Sequence, residues 1–174
     1  MLMIIYSRRV LALQRGFFLI ELMVGLAITS AILMAAMPNI KVYLLDSRIR
    51  TAAQAYYDGI QLARAEALRR NTDVSITLTD DGKGWKVTVG GDDISVKPPE
   101  SAGRLTVEAE ENEVVFNSSG AASAENTVQF LPGEGASCMG DGGQQRCMNV
   151  KISVGGQARL CDPSITEAGD DRKC

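Results

Sequence analysis

Four side chains in this 174-residue chain are suited to covalent chemistry: Cys138, Cys147, Cys161 and Cys174, all in the last quarter. An even number of cysteines crowded into a loop-rich end predicts two disulfides and an oxidising compartment. A zinc site would want a short Cys-x-x-Cys pair, which is absent. Three pairings are open, and the sequential one, Cys138–Cys147 with Cys161–Cys174, is favoured because both loops are short. Acid–base catalysis has little to work with, since the chain holds no histidine. There is no nucleophile elbow, and the Gly133–Gly135 run is too short to cradle a phosphate. Asp80-Asp81 and Asp92-Asp93 invite a calcium reading, but they lack the interleaved oxygen spacing of a calcium loop and sit where turns are expected. No enzyme activity, cofactor, metal or small-molecule substrate is expected.

The remaining group with chemical interest is Glu21, the one ionisable residue between Phe17 and Met37 in "FFLIELMVGLAITSAILMAAM". The run meets the roughly 20-residue length that spans a bilayer as a helix. Arg8, Arg9 and Arg15 precede it with no acid among the first 16 residues. The basic flank places that end in the cytoplasm and the bulk of the chain outside. A secretory signal with a site near "MAAM" is the competing reading, but the run exceeds a signal core of roughly 7–15 residues. A carboxylate at a bilayer's centre costs about 2.5–3.5 kcal/mol on insertion scales, and less near a helix end. A lone Glu21 near the boundary could snorkel or favour the helix's positive end.

The elements that position these groups follow from periodicity. After Pro38, apolar residues recur at Val42, Leu45, Ile49, Ala52, Tyr56, Ile60, Ala63 and Ala67, a single helical stripe. One helix, bent at Pro38, is therefore predicted from about Phe17 to about Arg70. Glu66 and Arg70 stand four apart near its end. Beyond Asn71 the period becomes two, with strands at Val74–Leu78, Trp85–Val89 and Ile94–Val96. Further strands are expected at Leu105–Val107, Glu113–Asn117, Thr127–Leu131, Cys147–Val154 and Gln157–Cys161. Gly155-Gly156 reads as a two-residue hairpin turn, and "NSSGAASAEN" (117–126) as a mobile surface loop. The fold class is α+β: a long N-terminal helix, transmembrane in its first half, packed on a mainly antiparallel β-sheet domain.

The stretch "GFFLIE", with its basic leader, long apolar run and Pro38, resembles the prepilin signal of type IV pilins and type II secretion pseudopilins. That resemblance implies cleavage after Gly16 by the prepilin peptidase and N-methylation of the new N-terminus, Phe17. Phe18 departs from the usual threonine. The implied organisation is a leader at 1–16, a transmembrane and assembly helix at 17–38, its amphipathic continuation at 39–71 and a β-rich domain with disulfides at 72–174. Glu21 then becomes an assembly residue, because the amine on a neighbour's Phe17 can neutralise it and set axial register.

"QLARAEALRRN", "FNSSG" and "MNVKISVGGQARLCDP" are similar to the GspH/FimT-type minor pilins, and the tail "CDPSITEAGDDRKC" resembles pilus-associated FimU/FimT-like members. The resemblance implies a pilin-like fold and a structural subunit of a type IV pilus. A type II secretion pseudopilin and a DNA receptor for natural transformation are the alternatives. The implied partners are the prepilin peptidase, other minor pilins and the inner membrane. DNA contacts in that third role would fall on Arg159, Lys151 and Arg146. Across 138–174, however, five basic residues are balanced by five acids, which leaves little counterion-release drive and disfavours DNA.

Overall fold

The computed structural model describes residues 18–98, 105–133 and 135–174. Its elements are helix α1 (Leu19–Arg70) and strands β1 (Val74–Thr79), β2 (Gly84–Val89), β3 (Asp92–Lys97), β4 (Leu105–Ala109), β5 (Glu113–Phe116), β6 (Asn126–Pro132), β7 (Met148–Ile152) and β8 (Ala158–Cys161), with a 3-10 turn at Met139–Asp141. The chain divides into two compact units at Pro38.

In the first unit, α1 carries apolar side chains on every face. Leu19, Ile20, Leu22, Met23, Leu26, Ile28, Ile32, Leu33 and Met34 are all exposed. The hydroxyls of Thr29 and Ser30 donate to the carbonyls of Gly25 and Leu26, each at 2.7 Å, so they ask nothing of their surroundings. No single helix among the described residues is long and apolar enough to cross a membrane. Leu19–Met34 and Asn39–Arg70 taken together meet that test by length and composition.

The second unit is two four-stranded antiparallel sheets sharing one core with the rest of α1. Sheet A has the order β3-β2-β1-β5 and sheet B the order β4-β6-β7-β8. The helical stripe becomes the spine of that core, with Ile49, Ala53, Tyr56, Ile60, Ala63 and Ala67 all buried. Ala53, one residue past the expected Ala52, is the fully buried position, and Ala52 packs at the margin. Sheet A contributes Val74, Ile76, Val87, Val114 and Phe116, and sheet B contributes Val128, Phe130, Val150 and Ile152. Tyr56 meets the Phe130 ring at 6.0 Å between centroids, and burial pushes its phenol far above the usual range. Gly59 gives the indole of Trp85 access to α1, since a Cβ there would lie 2.9 Å from the ring.

The helix stops for a local reason. Asn71 takes a left-handed conformation (φ 52°), and the Thr72 amide returns to the Ala67 carbonyl at 3.4 Å, a Schellman ending. Asp80 and Asp81 are likewise left-handed, as the turn between β1 and β2 requires. Those aspartates are turn residues, and among the described residues no group of three acidic, histidine or cysteine side chains is placed to hold a metal.

Two loops differ from the sequence expectation. The β7–β8 connection is a three-residue loop, not a two-residue Gly155-Gly156 turn. The Ser153 amide donates to Gln157 O at 3.0 Å, the Gly156 amide donates to Ser153 O at 2.8 Å, and only Gly156 is left-handed. Segment 117–126 is not a surface loop throughout, because Gly120, Ala122 and Asn126 are buried. Asn117 Oδ1 accepts the Ser119 and Ala121 amides. Asn126 pairs with both backbone groups of Glu111, donating to its carbonyl at 2.8 Å and accepting its amide at 3.2 Å. Small residues let this segment pack inward, and side-chain amides replace the missing ladder bonds.

Candidate assembly interface

Three groups of residues define the surfaces of interest among the described residues. The first is the apolar helix face. Glu21 lies in the first turn of α1, exposed, and its carboxylate has no hydrogen-bond or ion-pair partner among the described residues. Its amide donates to the Phe18 carbonyl at 3.0 Å, so the backbone is already helical there. Gly16 and Phe17 lie outside the described residues. Pro38 lies within α1 at the boundary of the two units.

The second group is the helix end. Glu66 is clasped by two arginines, with Arg69 Nη2 at 2.6 Å and Arg70 Nε at 2.7 Å from its Oε2. Hydrogen bonds from Arg69 and then Arg70 hold the carboxyl down at about 2. The sequence spacing pointed to Arg70 alone, and the i,i+3 partner is an addition.

Two residues before Glu66, Arg64 does something that spacing did not foretell. Its Nε donates to the Gly120 carbonyl at 3.1 Å and its Nη2 to the Gly155 carbonyl at 3.4 Å. It thereby ties the 117–126 loop and the β7–β8 hairpin to the helix. The available signal was the glycines of the two loops, since Gly120 and Gly156 both lie against Arg64.

The third group is the cysteine-rich end of sheet B. Disulfides join Cys138 to Cys147 and Cys161 to Cys174, with Cα atoms 5.6 and 5.0 Å apart. The first closes the loop around the 3-10 turn. That loop is fastened to α1 by the Arg146 amide, which donates to Asp46 Oδ1 at 2.9 Å. The second folds the C-terminal segment back over sheet B. There the Cys174 carbonyl accepts Lys151 Nζ at 3.4 Å and Arg159 Nη2 at 3.2 Å.

Lys151 and Arg159 are register partners across β7 and β8, so the structure brings together two of the three residues considered for DNA. Each donates one hydrogen bond to the Cys174 carbonyl, and Arg159 stays exposed. Arg146 belongs to a different feature, a groove beside α1.

A long helix, apolar all round at its start and serving further on as the spine of a disulfide-closed antiparallel β domain, defines the pilin class of architecture. The model of the family described as type II transport protein GspH matches residues 52–156. The chain belongs to that family. Among solved structures, it is similar to the type IV minor pilin FimU of Pseudomonas aeruginosa at 20% identity and a TM-score of 0.57, over 70% of this chain and 94% of that one. It is also similar to the minor pseudopilin EpsH from the type 2 secretion system of Vibrio cholerae, at 18% identity and a TM-score of 0.51, over 67% of this chain and 98% of that one. At these identities the likeness concerns the fold. No curated protein matches the sequence.

Proposed function

We propose that this chain is a minor type IV pilin, a structural subunit that enters a pilus, at or near its tip, after cleavage between Gly16 and Phe17 and methylation of Phe17. Glu21 is the observation that carries the reading. Among the described residues of α1 before Pro38 it is the one charged side chain, and the hydroxyls of Thr29 and Ser30 there are satisfied within the helix. The mature N-terminal amine would stand about one helical turn from it. An exposed carboxylate in lipid is costly, and pairing with a neighbour's amine lowers that cost, so the difference favours entry into a filament. Before assembly the helix 17–38 would anchor the subunit in the inner membrane, with 39–174 in the periplasm and two disulfides suited to that compartment.

Glu21→Ala tests this reading. The variant should insert into the membrane and be cleaved normally, yet be depleted from sheared filaments. Normal incorporation would count against the role given to Glu21.

A GspH-type pseudopilin of type II secretion is the second reading, favoured by the description of the matching family. Deleting the gene and scoring twitching, protein secretion and transformation in parallel separates the two. A DNA receptor is the least supported, because the Lys151 and Arg159 side chains are already engaged by Cys174.

A further inference from the structure

A groove of about 400 Å³ lies between α1 and the β7–β8 end of sheet B, lined by Tyr43, Arg50, Arg146, Met148 and Leu160 together with two aspartates and Arg172. Its charges are unequally committed. Asp46 accepts the Arg146 amide at 2.9 Å. Asp162 is buried, and its Oδ1 accepts the amide and hydroxyl of Ser164. Arg172 is held by Asp170 at 2.7 Å. The guanidinium groups of Arg50 and Arg146 are exposed and have no ion-pair partner among the described residues. Beside them stand the exposed ring of Tyr43 and the half-buried side chains of Met148 and Leu160.

We propose that this groove docks an acidic protein segment, two carboxylates flanking an apolar side chain, presented by a neighbouring subunit. Arginine's planar fork matches a carboxylate with two parallel hydrogen bonds, which lysine does not supply. Tyrosine, methionine and arginine are the residues that protein interfaces enrich. A phosphate backbone fits less well. Two unpaired cations give little counterion release, and the apolar members would go unused. The choice of a neighbouring subunit as the source rests on the filament reading. The carboxylate chemistry does not.

The experiment uses the full chain in detergent, isotope-labelled and titrated with the peptide acetyl-Ala-Glu-Leu-Glu-Ala-amide and its counterpart with glutamine at both glutamate positions. Saturable amide shifts should cluster at Arg146, Met148 and Leu160. The glutamine peptide and the Arg50→Glu/Arg146→Glu variant should each bind about tenfold more weakly, a change of about 1.4 kcal/mol, with the variant's spectrum otherwise folded. Equal binding by the glutamine peptide, undiminished binding by the variant or no saturable shift would each overturn the proposal. So would a DNA duplex that occupies the groove more tightly than the peptide. Peptide binding is read on the isolated chain and filament entry through Glu21 in cells, so the failure of one is distinguishable from the failure of the other.

Discussion

Replacing Gly156 with alanine would place a methyl group on the carbonyl oxygen of Gly120, a backbone atom that cannot step aside as a side chain can. Two costs combine. Gly156 holds φ at +73°, and a left-handed conformation costs a residue with a Cβ about 1–2 kcal/mol. Relieving the overlap means moving the Gly120 segment, which overpacking precedents put at about 1–3 kcal/mol. That movement also lengthens the hydrogen bond that Arg64 Nε makes to the same oxygen at 3.1 Å. A loss of about 3 kcal/mol is therefore expected. Two other glycines provide internal controls. Gly90 is left-handed (φ +59°) with open space around its Cβ direction, so Gly90→Ala should show the backbone cost alone, about 1–2 kcal/mol. Gly155 is not left-handed and would meet only Ser153 Oγ at 3.7 Å, so Gly155→Ala should stay within about 0.5 kcal/mol of the parent. Urea unfolding of the full chain in detergent, followed through the single tryptophan, Trp85, which packs against Gly59, reads all three from midpoint shifts at constant slope. If Gly156→Ala costs no more than Gly90→Ala, the close approach to Gly120 is wrong. If Gly155→Ala costs as much as Gly156→Ala, the three-residue hairpin is wrong and the two-residue turn returns.

The Glu66 cluster predicts a pH response with a definite sign. A carboxyl held at about 2 contributes stability that is present above its unfolded value, about 4.3, and is lost as pH falls through 2. Carboxyl-carbon NMR should find the Glu66 midpoint near 2, and Arg69→Gln with Arg70→Gln should return it towards the ordinary range; an unchanged midpoint refutes the clasp. Replacing Cys138 and Cys147 by serine should cost about 2–3 kcal/mol on loop-entropy grounds, again read through Trp85. Replacing Cys161 and Cys174 should instead free Lys151 and Arg159 from the Cys174 carbonyl. DNA affinity in a low-salt shift assay should then rise above that of the disulfide-closed chain, and no rise would mean that the tail does not mask those cations.

Much of this architecture was legible because it is local. The helical stripe, the alternation in β1, β2 and β6 and the turn residues at Asn71, Asp80-Asp81 and Gly90-Gly91 each declare themselves within a few positions. The contacts that the sequence hid join residues far apart. Arg64 reaches Gly120 and Gly155 across 56 and 91 positions, and Asp46 reaches the Arg146 amide across 100. No periodicity encodes such pairs. The run 117–126 departs from its sequence pattern for a related reason. Its small and polar residues look like a solvated loop, yet smallness is what lets Gly120 lie against Leu68 and Arg64, and Asn126 is buried because its amide completes the backbone of Glu111.

This division of labour bears on where functional differences among such proteins should be sought. An apolar helix with one acid near its start suits any filament built from similar subunits, so it says little about which machine a subunit serves. The β domain is different. Its core residues answer to packing, and its disulfide-fastened end sets which charges remain available. Here that end ties Lys151 and Arg159 to the Cys174 carbonyl and leaves Arg50 and Arg146 without an ion-pair partner among the described residues. Changing Arg146 on the sheet side of the groove should alter which segment docks there while leaving the helical unit that carries Glu21 untouched.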